Sequence, residues 1–275
     1  MMNKPKLHFQ RFEFKYLLTP DLEKEIKKRI SAYVKRDSYV ENSQTGAYEV
    51  VSLYYDSPGF YYYKQKMDGV LNRKKIRLRT YKVNGEFIPY AFFEIKRRHD
   101  SVILKDRFVI PKEDCAKLVY DEDFYGTSVI QDQNRRNIIE EFEWEQHLRS
   151  ISPKILVSYE REPFLGKYNE NFRVTFDRKI KAMANDNLFY AGSDMLDVSG
   201  DYTVMEVKFN GSLPFYVDEV IKEFNLQRIS YSKYCNAVDV CGSLSVFDFA
   251  KPFGISQIRE NMAEKSRITE KKLSI

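Results

Sequence analysis

From Leu7 to Phe209 the chain repeatedly alternates bulky apolar residues with charged ones. Residues two apart in a strand share a face. Arg11, Glu13 and Lys15 therefore oppose Phe12, Phe14 and Tyr16. Lys75, Arg77 and Arg79 oppose Ile76, Leu78 and Thr80, while Glu94 and Lys96 oppose Phe93 and Ile95. Lys105 and Arg107 oppose Leu104 and Asp106, and Tyr159 and Arg161 alternate with Ser158 and Glu160. Arg173, Thr175 and Asp177 oppose Phe172, Val174 and Phe176, and Glu206 and Lys208 oppose Met205, Val207 and Phe209.

The pattern predicts strands over Leu7–Leu18, Tyr48–Asp56, Arg73–Val83, Phe87–Arg97, Val102–Ile110, Lys154–Glu162, Phe172–Ile180 and Thr203–Phe209. Asn84-Gly85 marks a hairpin turn. Thr19 as N-cap and Pro20 after it open a helix to about Val34, with Leu22, Ile26, Ile30 and Tyr33 on one side. Further helices are expected over Phe60–Met67, within Lys112–Ser150, over Ser212–Phe224 and over Tyr231–Val240. Trp144 is expected in the core; Tyr54, Tyr55 and the Tyr61 to Tyr63 run read as packing and turn residues. Residues 1–250 read as one domain and 251–275 as a charged tail or frayed helix.

An amphipathic strand with a solvated charged face is ordinary. Seven of them leave two architectures open: an open sheet with its charged face in water, or a closed barrel with that face lining the lumen. The apolar helix faces at Leu22, Ile26 and Ile30, and around Val217, Val220 and Ile221, fit packing on the outside of a barrel. About ten cations in a confined space repel one another and lose hydration. Such a lumen persists if it is wet and holds polyanions, and phosphate chains suit Arg forks and Lys point charges. Glu13, Glu94 and Glu206 would offset part of the repulsion, and their hard oxygens suit magnesium or manganese riding on phosphates.

Composition narrows the picture. The 275 residues are 43% hydrophobic and 31% charged, with 20 Tyr and 20 Phe, which excludes a disordered chain and favours strands. A net charge of +5 permits an anionic partner without indicating nucleic acid. Three scattered cysteines, Cys115, Cys235 and Cys241, form no disulfide framework or zinc motif, and a reducing cytoplasm is expected. No apolar run approaches the roughly 20 residues of a membrane span.

Several stretches, in order, resemble the polyphosphate-polymerase (VTC) domain of the triphosphate tunnel metalloenzyme, or CYTH-like, superfamily. They are RFEFKYLL at Arg11–Leu18, VSLYYDS at Val51–Ser57, RKKIRLRTY at Arg73–Tyr81 and FEIKR at Phe93–Arg97. KDR at Lys105–Arg107, YER at Tyr159–Arg161, MEVKF at Met205–Phe209 and SKY at Ser232–Tyr234 complete the set. The resemblance implies an α+β fold, a closed antiparallel eight-stranded β tunnel barrel with a polar, cationic lumen and helices packed outside. It implies phosphate ligands at Lys15, Arg77, Arg79, Lys96, Lys105, Arg161, Arg173, Lys208 and Lys233, with Lys66 as a further candidate and hydroxyl contacts from Tyr159 and Ser232. Glu206 would bind the metal, Mn2+ or Mg2+, with Glu13 and Glu94 as weaker candidates.

The sequence departs from the superfamily's E-x-E-x-K pattern, because Arg11 stands where the first Glu would be. Fewer carboxylates fit handling of a phosphate chain better than two-metal hydrolysis. The expected activity is transfer of the γ-phosphoryl group of ATP, or another triphosphate, to a growing polyphosphate chain. Lys15, Arg77, Arg79, Lys208 and Glu206 would be the catalytic set. A triphosphatase or nucleotide cyclase on the same scaffold, and a non-catalytic polyphosphate-binding module, remain as alternatives.

Overall fold

The computed structural model describes residues 11–41, 43–100, 102–120 and 133–242. Its elements run β1 (Arg11–Leu18), α1 (Pro20–Ile30), β2 (Val34–Arg36), β3 (Tyr48–Asp56), α2 (Tyr61–Met67), β4 (Arg73–Val83), β5 (Glu86–Phe87), β6 (Tyr90–His99) and β7 (Val102–Pro111). They continue with α3 (Cys115–Tyr120), α4 (Gln133–Arg149), β8 (Ser152–Gly166), β9 (Arg173–Ala184), β10 (Leu196–Asp197), β11 (Thr203–Asn210), α5 (Phe215–Glu223) and α6 (Lys233–Gly242). Part of the expected first strand, residues 7–10, and the expected tail, residues 251–275, lie outside the described residues.

Local chemistry explains most boundaries. Thr19 Oγ1 accepts from the Leu22 amide at 3.4 Å, and Pro20 fills the first helical position. Asn84 and Gly85 take φ of 52° and 89°, the left-handed pair that a two-residue hairpin needs. Several boundaries differ from expectation, three of them for a plain reason. The first helix stops at Ile30, because Val34 is buried in β2 and pairs with Gly166. The strand expected over 87–97 is split at Pro89, which has no amide proton for a ladder. The strand expected over 154–162 extends from Ser152 to Gly166, since both flanks find partners on β2, β3 and β9.

The strands form one antiparallel sheet with the path β1-β11-β9-β8-β3-β4-β6-β7; β2, β5 and β10 attach to β8, β4 and β9. One face is apolar and carries two helical layers. Ile138, Ile139 and Phe142 of α4 cover Leu53, Leu78, Phe93 and Ile95. Ile26 and Ile30 of α1, with Val217 and Val220 of α5, cover Phe176, Met205 and Val207. The charged parity of the strands points to the other face, and the sheet curls around it.

Three expectations are corrected here. The barrel is not closed by a ladder: among the described residues β7 pairs only with β6, and β1 only with β11. The free edge of β1 is occupied instead by the segment before α6, where the Ile229 amide donates to the Lys15 carbonyl at 2.8 Å. Second, the helices do not all lie outside. Tyr234, Cys235, Ala237 and Val238 of α6 pack with Leu17, Val50, Tyr54, Val157 and Val204, the apolar end of the concave face. Third, Trp144 is 64% exposed. The inward stripe of α4 runs through Ile138, Phe142 and Glu145, which leaves position 144 off it. Among the described residues, no helix is long and apolar enough to cross a membrane.

Candidate active site on the concave face

The strand register builds a charge checkerboard. On β1 and β11, Glu13 lies opposite Lys208 and Lys15 opposite Glu206. Opposite charges facing each other across a strand pair are the favourable arrangement. Glu206 is 5% exposed and lies among four cations. Lys233 Nζ is 2.9 Å and Lys15 Nζ 3.5 Å from its Oε1; Lys208 Nζ is 2.9 Å and Arg161 Nη2 3.5 Å from its Oε2. Burial opposes ionisation of Glu206, yet Lys208, Lys233, Lys15 and Arg161 outweigh it and hold the carboxyl well below the usual range. Glu13 behaves alike: burial and Glu206 oppose its charge, but Lys208 and Lys15 bring its pKa down to about 2.

Asp177 fixes the neighbouring cations. Its place on the charged face of β9 is legible in the sequence; its part in the site is not. It accepts a two-pronged fork from Arg161 at 2.6 and 2.7 Å, and Lys233 Nζ approaches it at 2.5 Å. Lys233 sits at the start of α6, so the helix inserts its ammonium between Asp177 and Glu206. The ring of Tyr159 lies beneath Lys233 and Arg161, with centroid distances of 4.6 and 5.2 Å.

A second group lies along β4 and β6. Glu94 is bound by Arg77 at 2.6 Å and by Lys105. Arg79 donates to Ser52 Oγ at 3.0 Å and to Tyr159 Oη at 3.4 Å. Burial pulls the Lys96 and Lys105 ammonium pKa values down to about 8. Tyr54, read from the sequence as packing, does stack on Tyr234, but its hydroxyl also accepts from Arg77 at 3.0 Å. Burial raises its pKa, and Arg77, Arg79 and Lys75 overcome that and bring it to about 8.

A cavity of about 460 Å³ opens beside these groups. Its lining includes the expected Glu13, Lys15, Lys66, Lys96 and Ser232. Ser232 accepts from Lys75 at 2.7 Å, and Lys66 donates to Ser230 at 3.0 Å. Five basic residues of the lining are absent from the site expected on sequence grounds: Arg73, Lys75, Arg98, Arg228 and Lys74, the last paired with Glu141 and Glu145 of α4. The first three continue the inward parity of Arg77 and Lys96, which strict alternation exposes. Arg228 lies in a loop and gives no periodic signal. Arg173 stands apart, held at 3.0 Å by Asp37 of the segment after β2.

Among the described residues, no group of three or more His, Cys, Asp or Glu side chains is placed to hold a metal ion. The adjacent Glu13 and Glu206 do fit a magnesium or manganese ion that takes one or two carboxylates and completes its shell with phosphate oxygens and water. Glu94, like Glu206, is engaged by cations on both oxygens, so a metal at either carboxylate would displace a Lys or Arg contact.

Fold and site together define a curled antiparallel sheet whose inner face is dense in Lys and Arg. The sequence matches the VTC domain family over residues 10–241, and the chain belongs to that family. No curated protein matches it. Among solved structures, a candidate adenylate cyclase from Bacillus halodurans is 13% identical, with 81% of this chain and 95% of that chain covered at a TM-score of 0.45. The PH1819 protein from Pyrococcus horikoshii OT3 is 12% identical, with coverage of 82% and 96% and a TM-score of 0.41. A candidate adenylyl cyclase from Hippeastrum, with a dominant triphosphatase activity, is 11% identical, with coverage of 81% and 93% and a TM-score of 0.43.

Proposed function

We propose that the protein is a metal-assisted polyphosphate polymerase that uses ATP. The observation that carries this reading is the convergence of Lys15, Arg161, Lys208 and Lys233 on one buried carboxylate, Glu206, with Arg77, Arg79, Lys96 and Lys105 on the same inner face. No side-chain nucleophile is needed. The terminal oxyanion of the chain attacks the γ-phosphorus, a new P–O–P bond forms, and the bond to the bridging oxygen breaks to release ADP. Phosphoryl transfer of this kind demands alignment and charge stabilisation above all. Lys15, Arg77, Arg79 and Lys208 hold the reacting phosphates. Glu206, assisted by Glu13, would hold a divalent ion, which would supply neutralisation of phosphate charge.

The test is incubation of the full chain with ATP and manganese, followed by gel separation of polyphosphate, beside Glu206→Gln. A phosphate ladder from the wild type and none from the variant is the expected result. Phosphate release without a ladder would replace polymerase by triphosphatase. Binding without turnover would leave a polyphosphate-binding module.

A further inference from the structure

Asp56 closes β3 and is fully buried, yet it belongs to none of the charge groups described above. Its carboxylate gathers four donors. Oδ1 accepts from the Ser57 amide at 2.7 Å and the Tyr62 amide at 3.0 Å, and Oδ2 accepts from the Tyr63 amide at 3.0 Å. These bonds fix the first turn of α2. The fourth donor is the hydroxyl of Tyr234, which reaches Oδ2 from α6. A return tie runs from α2 to α6, where the Tyr63 hydroxyl donates to Asp239 Oδ1 at 2.5 Å.

The ties matter because of what α6 carries. Ser232 caps the helix, its hydroxyl accepting from the Cys235 amide at 3.2 Å, and Lys233 takes the first helical position. A cation there opposes the helix dipole, and burial strips its hydration. Asp177 and Glu206 compensate only if the ammonium is delivered between them. A lysine stem is flexible, so its reach to both carboxylates depends on where its backbone is held. Tyr234 and Asp239 lie more than a turn apart on α6, and bonds at both oppose sliding along the axis and rotation about it. The stack of Tyr234 on Tyr54, with centroids 4.9 Å apart, gives contact area but little direction. The hydroxyl bond to a buried carboxylate supplies the direction.

We propose that Asp56 is a positioning residue for Lys233, acting through Tyr234. The proposal rests on the polyphosphate reading in so far as that reading makes Lys233 a phosphate ligand. Small displacements of an aligning group are costly in a transfer reaction, and the groups behind a ligand hold it in place. Asp56 fills that place for Lys233, while Asp177 and Glu206 receive its charge.

The experiment is a double-mutant cycle on the full chain. Tripolyphosphate binding is measured by calorimetry for the wild type, Tyr234→Phe, Lys233→Met and the double variant. Phenylalanine keeps the ring against Tyr54 and removes only the bond to Asp56. Tyr234→Phe should lower affinity about tenfold, or 1.4 kcal/mol, with Lys233 in place, and no more than about twofold once Lys233 is replaced. A merely structural role would cost the same in both backgrounds. That result, or no loss with Lys233 in place, would overturn the proposal. Should Lys233→Met not fold, Lys233→Gln, which lacks the charge but retains a donor, takes its place in the cycle. If the wild type does not bind tripolyphosphate, the polyphosphate reading falls, and the same cycle is read without ligand in urea denaturation. There Tyr234→Phe should cost less stability once Lys233 is gone, and additive losses would overturn the positioning role.

Discussion

Lys96 and Glu13 stand on strands separated by five others in the sheet path, yet Lys96 Nζ and Glu13 Oε2 lie 3.8 Å apart. The contact spans the space enclosed by the sheet and measures how far it curls. It also sets a role for Glu13, which screens Lys15, Lys96 and Lys208 from one another when no phosphate is present. Glu13→Gln should raise affinity for tripolyphosphate in the presence of a chelator by about tenfold. With manganese the gain should vanish or reverse, because one oxygen ligand is lost. Calorimetry with and without metal checks both arms.

Lys233 links α6 to the sheet through Asp177 and Glu206, both buried. Removal of one member of a buried ion pair leaves its partner uncompensated, at a cost of about 3–5 kcal/mol. Lys233→Met should lose stability of that order in urea denaturation. The orphaned carboxylates can take up protons in acid, so the deficit relative to wild type should shrink as pH falls. A deficit that stays constant with pH would argue for lost packing instead.

Anion binding should weaken as pH rises through about 8. Three inner-face groups titrate there: Lys96 and Lys105 lose positive charge, and Tyr54 gains negative charge. All three changes have the same sign for a polyanion, and bound phosphate in turn raises each pKa. Polyphosphate affinity at pH 9 should be at least about tenfold below that at pH 7. Tyr54→Phe should flatten the profile, and phenolate absorbance in the wild type should show one tyrosine ionising well before the rest.

Glu13 also makes stability acid-sensitive. Its folded pKa, about 2, lies below the ordinary 4.5. Its contribution is present above pH 4.5 and is lost as pH falls from there towards 2. Glu206, shifted the same way, adds to the loss. Acid unfolding monitored by circular dichroism should begin at a lower pH for Glu13→Gln, measured relative to its own neutral stability, than for the wild type.

Trp144 offers a contrast. With its side chain in solvent, Trp144→Ser should change stability by no more than about 0.5 kcal/mol. Phe142→Ala, two positions earlier and fully buried, should cost about 3–5 kcal/mol. Thermal melts of the two variants separate the inward stripe of α4 from its outward face.

The sequence by itself determined which residues share a strand face, because the period of two is a local property of the extended backbone. From it came the parity of Lys15, Arg77, Lys96 and Glu206, the Asn84-Gly85 hairpin and the start of α1. Fragments in family order indicated a VTC domain. Tertiary structure decided what each charge meets. That Lys233 reaches Asp177 and Glu206, that Tyr54 borders Arg77, and that Glu13 meets Lys96 depend on curl and strand order, which residue spacing does not encode. The same holds for the lack of a β1–β7 ladder among the described residues: the backbone groups of an edge strand accept whichever segment is held nearby, and here Ile229 reaches β1. Trp144 departs from expectation because large aromatic character favours burial only on average, whereas the helix phase, fixed by contacts with β6 and its neighbours, selects which positions face inward.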